Sequence, residues 1–373
     1  MNRKKIGIVT WFNSENYGTN LQAYALYYKL SALGHNCFFI NEFDYKHFTT
    51  KGVLLKVLNR LHLLSSIKIF INKSVSKKRY KKSLAFFDKY SKVIYVSSVN
   101  DYKKMLSRFD VFVAGSDQIW NPNYFKSFYF LDFADNKKRI AFASSIGVKN
   151  LSEDQKKKYL PLISAFNFCG IRENSGAELI NSILERNFAK QVVDPTFLLS
   201  SDEWVNLSKN SEISIDEDFM FCYFIGQRIE YESQVIDIAN KKNIHHIIIV
   251  PSIENPNFKI TDSTFCVDYY PDAGIEDFLR FIYKSKLVCT DSFHATAISI
   301  NLKKNFVEFM RFSIKDPKSQ NTRIIDILKR YNLENRLYHD DMDIIDIDYS
   351  SVFPLLERDI YESTNCLIKA LED

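Results

Sequence analysis

Short, continuous apolar runs alternate with segments of helical period along nearly the whole chain, and this alternation demands parallel βαβ units. In the first half, strands are expected at residues 5–12, 37–43, 111–115, 139–144, 168–172 and 191–193. Helices are expected between them at 19–33, 80–90, 153–166 and 175–184. Runs such as Val111-Phe112-Val113-Ala114 carry no polar alternation, so both faces of the sheet must be covered. Asp194-Pro195-Thr196 reads as the exit from this half, because a proline disfavours helix in the residue before it. A short helix at 200–207 and a polar linker at 208–218 follow. The pattern then restarts, with strands at 219–225, 245–250, 264–267, 287–290 and 306–309 and helices at 231–242, 275–285, 294–300 and 322–331. A final helix over 354–371 places Pro354 in an early, favoured position.

The expected fold is α/β, with two Rossmann-like doubly wound domains facing a cleft. A chain of 373 residues is too long for one ordinary core and suits two. The division expected is 1–200, carrying a basic helical insertion at about 46–90, then 201–345, then a terminal helix over 346–373 that packs back on the first domain. No sequence repeat relates the halves.

The net charge of +5 conceals an asymmetry: residues 46–82 hold eleven Lys or Arg and no Asp or Glu, leaving the rest at −6. A single basic segment on an acidic chain argues against a general nucleic-acid binder, whose positive surface is broader. Residues 53–82 interleave leucines with cations, which suits an amphipathic helix resting on anionic lipid, a peripheral membrane contact. An insertion packed on the first domain with its charges in water is the favoured reading. The six cysteines form no CxxC pair and read mostly as buried thiols. The start of the sequence runs directly into a strand, and no apolar run approaches the ~20 residues of a membrane span, so a cytoplasmic location is expected.

In open parallel sheets, ligands bind beyond the carboxyl ends of the strands, so polar residues at those ends are the candidates. After the first strand come Asn16, Gly18 and Asn20, at a loop entering a helix, where free N–H groups and the helix dipole favour an anion. The segment matches neither GxGxxG nor a P-loop, and a plain helix cap explains it equally well. Ser116, Asp117 and Gln118 follow another buried strand, with a turn as the competing reading. Arg172 ends the strand at 168–172, where its planar fork suits a carboxylate or phosphate; a salt bridge with Glu173 is the alternative. Asp291, Ser292 and His294 form the most informative group, since a histidine in the first turn of a helix, beside an anionic substrate, suits proton transfer. The other six histidines read as structural. Asn321 and Arg323 precede an amphipathic helix, where capping is the simpler role.

Taken together, Asn16-Tyr17-Gly18-Thr19-Asn20-Leu21-Gln22-Ala23, Gly115-Ser116-Asp117-Gln118-Ile119-Trp120, Gly170-Ile171-Arg172-Glu173, Val193-Asp194-Pro195-Thr196, Thr290-Asp291-Ser292-Phe293-His294-Ala295 and Asn321-Thr322-Arg323-Ile324 resemble the polysaccharide pyruvyl transferase family. The resemblance spans roughly residues 4–340. It implies a fold like that of the GT-B glycosyltransferases, no cofactor and no metal, with phosphoenolpyruvate as donor substrate bound between the domains. It also implies a saccharide acceptor, lipid-linked or otherwise, in the biosynthesis of bacterial surface polysaccharide. The family's arginine and histidine for phosphoenolpyruvate map onto Arg172 and His294, with His294 as general acid. Asp117 or Asp291 is a lower-ranked choice for the base. Two rivals remain: a nucleotide-sugar glycosyltransferase of the same architecture, for which no nucleobase or diphosphate signature is visible, and a non-catalytic saccharide-binding relative.

Overall fold

The computed structural model describes residues 2–44, 77–215, 217–312 and 321–372. Two parallel sheets organise it. The first is built from β1 (Lys5–Val9), β2 (Asn36–Ile40), β3 (Val93–Ile94), β4 (Val111–Ala114), β5 (Lys138–Ser144), β6 (Phe168–Ile171) and β7 (Ala189–Gln191), in the spatial order β3-β2-β1-β4-β5-β6-β7. The second contains β8 (Phe219–Tyr223), β9 (His246–Ile249), β10 (Cys266–Tyr269), β11 (Leu287–Thr290) and β12 (Phe306–Glu308), in the order β10-β9-β8-β11-β12. Every strand pairing among the described residues is parallel; Ile8, for instance, pairs with both Phe39 and Val113. Each sheet reverses its strand order once, between β1 and β4 and between β8 and β11. A doubly wound sheet opens a crevice at such a reversal.

The inner strands are the continuous apolar runs of the sequence, and β4, β8 and β11 are buried at every residue. Helices α1 (Tyr17–Ala32), α2 (Lys77–Tyr90), α3 (Val99–Arg108), α4 (Glu153–Ser164) and α5 (Asn174–Leu184) belong to the first half. Helix α6 (Ser201–Ser208) bridges to α7 (Tyr231–Lys242), α8 (Ile275–Lys284), α9 (Phe293–Asn301) and α10 (Thr322–Arg330) of the second, and α11 (Tyr349–Glu372) ends the chain. Several starts are set by side-chain caps: Ser152 with Gln155 opens α4, and Ser200 with Glu203 opens α6, both as reciprocal capping boxes.

Strand β3 and helix α3 are additions to the sequence expectation. Strand β3 is only two residues long and half-buried, and α3 buries only Met105 fully, with Tyr102 and Leu106 half-buried beside it. Its one clear sequence signal is Ser98, which accepts from the Asp101 N–H as an N-cap. Helix α11 begins at Tyr349, so Pro354 lies inside the helix rather than near its first position. There it removes the N–H that would donate to the Ser350 carbonyl. Cysteines 37, 169, 222 and 289 are buried, whereas Cys266 on edge strand β10 is exposed and Cys366 is half-buried. Residues 53–76 of the proposed lipid-facing segment lie outside the described residues, and 77–82 form the first turns of α2. Among the described residues no helix is long and apolar enough to cross a membrane.

One continuous apolar cluster runs through both sheets' neighbourhoods, joining Ile6, Ile8 and Leu26 to Tyr223, Phe278 and Ile298. At its centre the Tyr17 ring stacks on Phe278 at 4.3 Å, and its hydroxyl donates to the Ala273 carbonyl at 2.8 Å. Asn301 donates to the carbonyls of Thr196 and Leu199 at 3.2 and 2.9 Å. Helix α2 adds polar ties: Arg79 donates to the Pro251 carbonyl, and Lys82 meets Asp277 at 3.1 Å. Helix α11 returns to the first sheet, where the Val193 N–H donates to Ser363 Oγ at 3.0 Å and Leu367 and Leu371 are fully buried.

Candidate functional site

The carboxyl ends of β4, β6, β7 and β11 converge on one buried polar cluster. Arg172 follows β6 and Asp194 lies just beyond β7; His294 sits in the first turn of α9, immediately after β11. Arg172 Nη1 donates to Asp194 Oδ2 at 3.0 Å and lies 3.5 Å from His294 Nε2. His294 Nε2 is 3.6 Å from the same Asp194 oxygen. Ser116 Oγ, at the end of β4, donates to Asp194 Oδ2 at 2.8 Å. The other carboxylate oxygen accepts from the N–H and Oγ1 of Thr196 at 3.0 and 2.9 Å. Both oxygens of Asp194 are thereby spoken for, and it joins residues from both halves of the chain. Burial would raise its carboxyl, but His294 and Arg172 outweigh burial and hold it far below the usual range.

The Arg172 guanidinium lies 4.4 Å over the Phe293 ring. Its Nε and Nη2, though buried, have no hydrogen-bond partner among the described residues. Leaving buried donors unmade costs about 1–3 kcal/mol each, which a bound anion would recover. These groups line a pocket between the ends of β6 and β7 and helix α10, which Arg323 and Arg330 also line. Burial, together with like-charged Arg172 and Arg311, pushes the Arg323 guanidinium down to about 9. Glu173, Asp194 and Asp326 share the lining with the three arginines.

Close packing brings His294 here. A Cβ on Gly18 would lie 2.2 Å from His294 Nδ1 and 2.6 Å from its Cγ. The glycine of α1 thus leaves room for an imidazole from the other half of the chain. Asn16 is the N-cap of α1, accepting from Thr19 N at 3.2 Å. Asn20 folds onto the preceding loop, accepting from Ser14 N at 3.0 Å and donating to Ser14 O at 2.6 Å. The structure therefore gives the loop after β1 capping and clearance duties.

Asp117 adopts φ 72°, a left-handed conformation unusual outside glycine. Its carboxylate accepts from Thr19 Oγ1 at 2.7 Å and from Gln118 N at 2.8 Å. Gln118 Oε1 accepts from Asn121 Nδ2 at 2.9 Å. Asp291 is saturated: it accepts from the N–H groups of Ile225 and Gly226 at 2.7 and 2.6 Å and from the Tyr231 hydroxyl at 2.9 Å. Arg311 Nε stands 3.7 Å from it. Each oxygen of both aspartates already accepts at least one hydrogen bond. Ser292 caps α9 by accepting from Ala295 N, and Asn321 pins the backbone of Phe312 with bonds of 3.2 and 2.7 Å.

The sequence placed Asp194 at a domain exit and Glu173 as a salt-bridge partner, both within family-like segments but without a role at the site. The structure puts Asp194 between the two principal residues. Glu173 Oε2 lies 3.9 Å from Arg172 Nε, beyond hydrogen-bond reach. A kink in β5 supports Glu173: the register shifts between Ala141 and Ser144, with Ala143 at φ 59°. Such bulges re-aim the backbone beside functional sites. Here Ser145 Oγ, Ile146 N and Gly147 N donate to Glu173 Oε1 at 2.9, 2.8 and 2.9 Å.

Comparison with known proteins agrees with this architecture. The family model described as polysaccharide pyruvyl transferase matches residues 16–310. A search of curated proteins finds no match. Among solved structures, Anabaena HepE in complex with UDP and glucose superposes with a TM-score of 0.52 at 9% identity, covering 100% of both chains. A Listeria monocytogenes protein assigned as a UDP-N-acetylglucosamine 2-epimerase gives a TM-score of 0.52 at 10% identity, covering 97% of this chain and 90% of its own. At such identities the likeness is one of fold, and the fold is GT-B-like.

Proposed function

From the premise that the chain belongs to the polysaccharide pyruvyl transferase family, we propose that it transfers a pyruvyl group from phosphoenolpyruvate to a saccharide of a surface polysaccharide, forming a pyruvate ketal. One observation carries the donor assignment. A buried guanidinium with two open donors lies 3.5 Å from an imidazole contributed by the other half of the chain. Phosphoenolpyruvate is small and multiply anionic, and its methylene must gain a proton before its neighbouring carbon becomes electrophilic. Arg172 Nε and Nη2 suit the carboxylate or phosphate. His294 supplies the proton. The Asp194 carboxylate stands 3.6 Å from His294 Nε2, so negative charge faces the ring.

Once the methylene is protonated, a sugar hydroxyl adds to the central carbon; phosphate then leaves and a second hydroxyl closes the ketal. The experiment is phosphate release from phosphoenolpyruvate across a panel of acceptor sugars, with His294→Ala as the control. Wild-type release that depends on an acceptor and vanishes in the variant supports the reading. Transfer from nucleotide sugars without phosphoenolpyruvate turnover would replace it with glycosyl transfer. Near-normal turnover by His294→Ala would remove His294 from the proton step.

A further inference from the structure

Resting on the pyruvyl-transfer reading, we infer that the pocket beside Arg172 is the acceptor subsite and that Glu173 Oε2 receives the proton of the attacking sugar hydroxyl. At the ends of β4, β7 and β11 every oxygen of Asp117, Asp194 and Asp291 already accepts at least one bond, and Glu308 at the end of β12, which also has an oxygen without a hydrogen-bond partner among the described residues, does not line the pocket. Glu173 differs. Its side chain is 5% exposed, and three donors fix Oε1 and set the plane of the carboxylate. Oε2 has no hydrogen-bond partner among the described residues, only Arg172 Nε at 3.9 Å, and the residue lines the pocket. A buried carboxylate oxygen without a hydrogen bond is costly, and a hydroxyl donor would satisfy it.

The pocket's remaining wall suits a sugar. Asp326 and Gln191 offer polar contacts, while Phe293 and Tyr331 offer apolar faces. Burial and the nearby charge of Glu173 raise the Asp326 carboxyl. The Arg172 guanidinium spans the distance between the two catalytic groups, with Nη1 toward His294 and Nε toward Glu173. An anion on its open donors would lie between acid and base.

The protons balance across both steps. In the first, the hydroxyl oxygen bonds to the central carbon and its proton passes to Glu173 Oε2; the π pair takes a proton from His294 and becomes the methyl group. In the second, the bond to phosphate breaks with its electron pair on oxygen, and protonated Glu173 gives that oxygen its proton. The second hydroxyl bonds to the same carbon and returns a proton to His294. The products are the ketal and hydrogen phosphate, with both residues restored.

Glu173→Gln tests the assignment in the full-length protein, since the amide oxygen can still accept the three bonds now made by Oε1. Turnover should fall about 100- to 10,000-fold. The acidic limb of the kcat/KM profile should vanish, with calorimetric affinity for phosphoenolpyruvate unchanged. A merely structural residue would not carry that limb. Asp326→Asn, on a half-buried residue of the rim, should raise the acceptor KM about tenfold without altering donor affinity. Normal turnover or a retained acidic limb in Glu173→Gln would overturn the base assignment while leaving pyruvyl transfer standing. An unchanged acceptor KM in Asp326→Asn would overturn the subsite, even if Glu173→Gln failed to fold. Absence of phosphoenolpyruvate binding by the wild type would bring down the functional reading and this inference together.

Discussion

Replacing Gly18 with alanine adds one methyl group, yet it should reach the proposed chemistry. The new carbon would sit 2.2 Å from His294 Nδ1, 2.6 Å from Cγ and 2.8 Å from Cβ. Ordinary carbon contacts lie at about 3.5–4.0 Å, so the ring or helix α1 must move by roughly 1 Å. Both elements belong to the apolar cluster shared by the two halves, and overpacking there costs about 1–3 kcal/mol. The imidazole would then leave its place 3.5 Å from Arg172 and 3.6 Å from Asp194. A misplacement of about 1 Å can cost on the order of 100-fold in rate. Phosphate release and thermal unfolding should therefore be measured on Gly18→Ala, on His294→Ala and on the double variant. The rate should fall about 100-fold in Gly18→Ala with a modest loss of stability. In the His294→Ala background the two ring contacts are gone and only the Cβ contact at 2.8 Å remains, so the same methyl group should cost less, giving a coupling of about 1–3 kcal/mol in the stability cycle. Additive stability losses, or a Gly18→Ala enzyme of normal rate, would refute the clearance argument.

Asp194→Asn should lose turnover and about 3–5 kcal/mol of stability, since it strips a buried guanidinium of its charge partner. The Asp194 carboxyl is depressed in the folded protein, so its contribution is fully present above the unfolded value of about 3.9 and fades as pH falls toward the folded value. Denaturant titrations should accordingly show the wild-type advantage over Asp194→Asn steady above about pH 4 and shrinking below it. Arg172→Lys keeps the charge but loses the fork and should weaken phosphoenolpyruvate binding about tenfold or more by calorimetry. Asp291→Asn should behave as a loop lesion, lowering stability by about 1–3 kcal/mol while leaving the shape of the pH–rate profile unchanged.

What the sequence disclosed followed from how local each signal was. Continuous apolar runs announced β4, β8 and β11 because strands covered on both faces need no polar partner. Strand β3 has two half-buried residues and gave no comparable pattern. At the site, Arg172 and His294 stood out by position at strand ends, which a linear reading can estimate. Asp194 did not, because its role depends on β4, β6 and α9 meeting one carboxylate. Gly18 was read as part of an anion cradle, whereas its neighbour is an imidazole 276 positions away, a contact that only the packing of the two halves creates. The salt bridge expected between the adjacent Arg172 and Glu173 is present at a long 3.9 Å; the bulge in β5 that holds Glu173 Oε1 elsewhere leaves no mark on apolar periodicity.

The return of α11 to the first sheet bears on the order in which the molecule is made. Strand β7 ends at Gln191, but the helix that lays Ser363, Leu367 and Leu371 against this half lies at the far end of the chain. At about 5–20 residues per second, a ribosome needs on the order of 10–35 s to travel between them. During that interval the earlier sheet waits on the ribosome with an apolar flank uncovered. Nascent chains halted before residue 349 should bind holdase chaperones, and release of the last helix should end that binding.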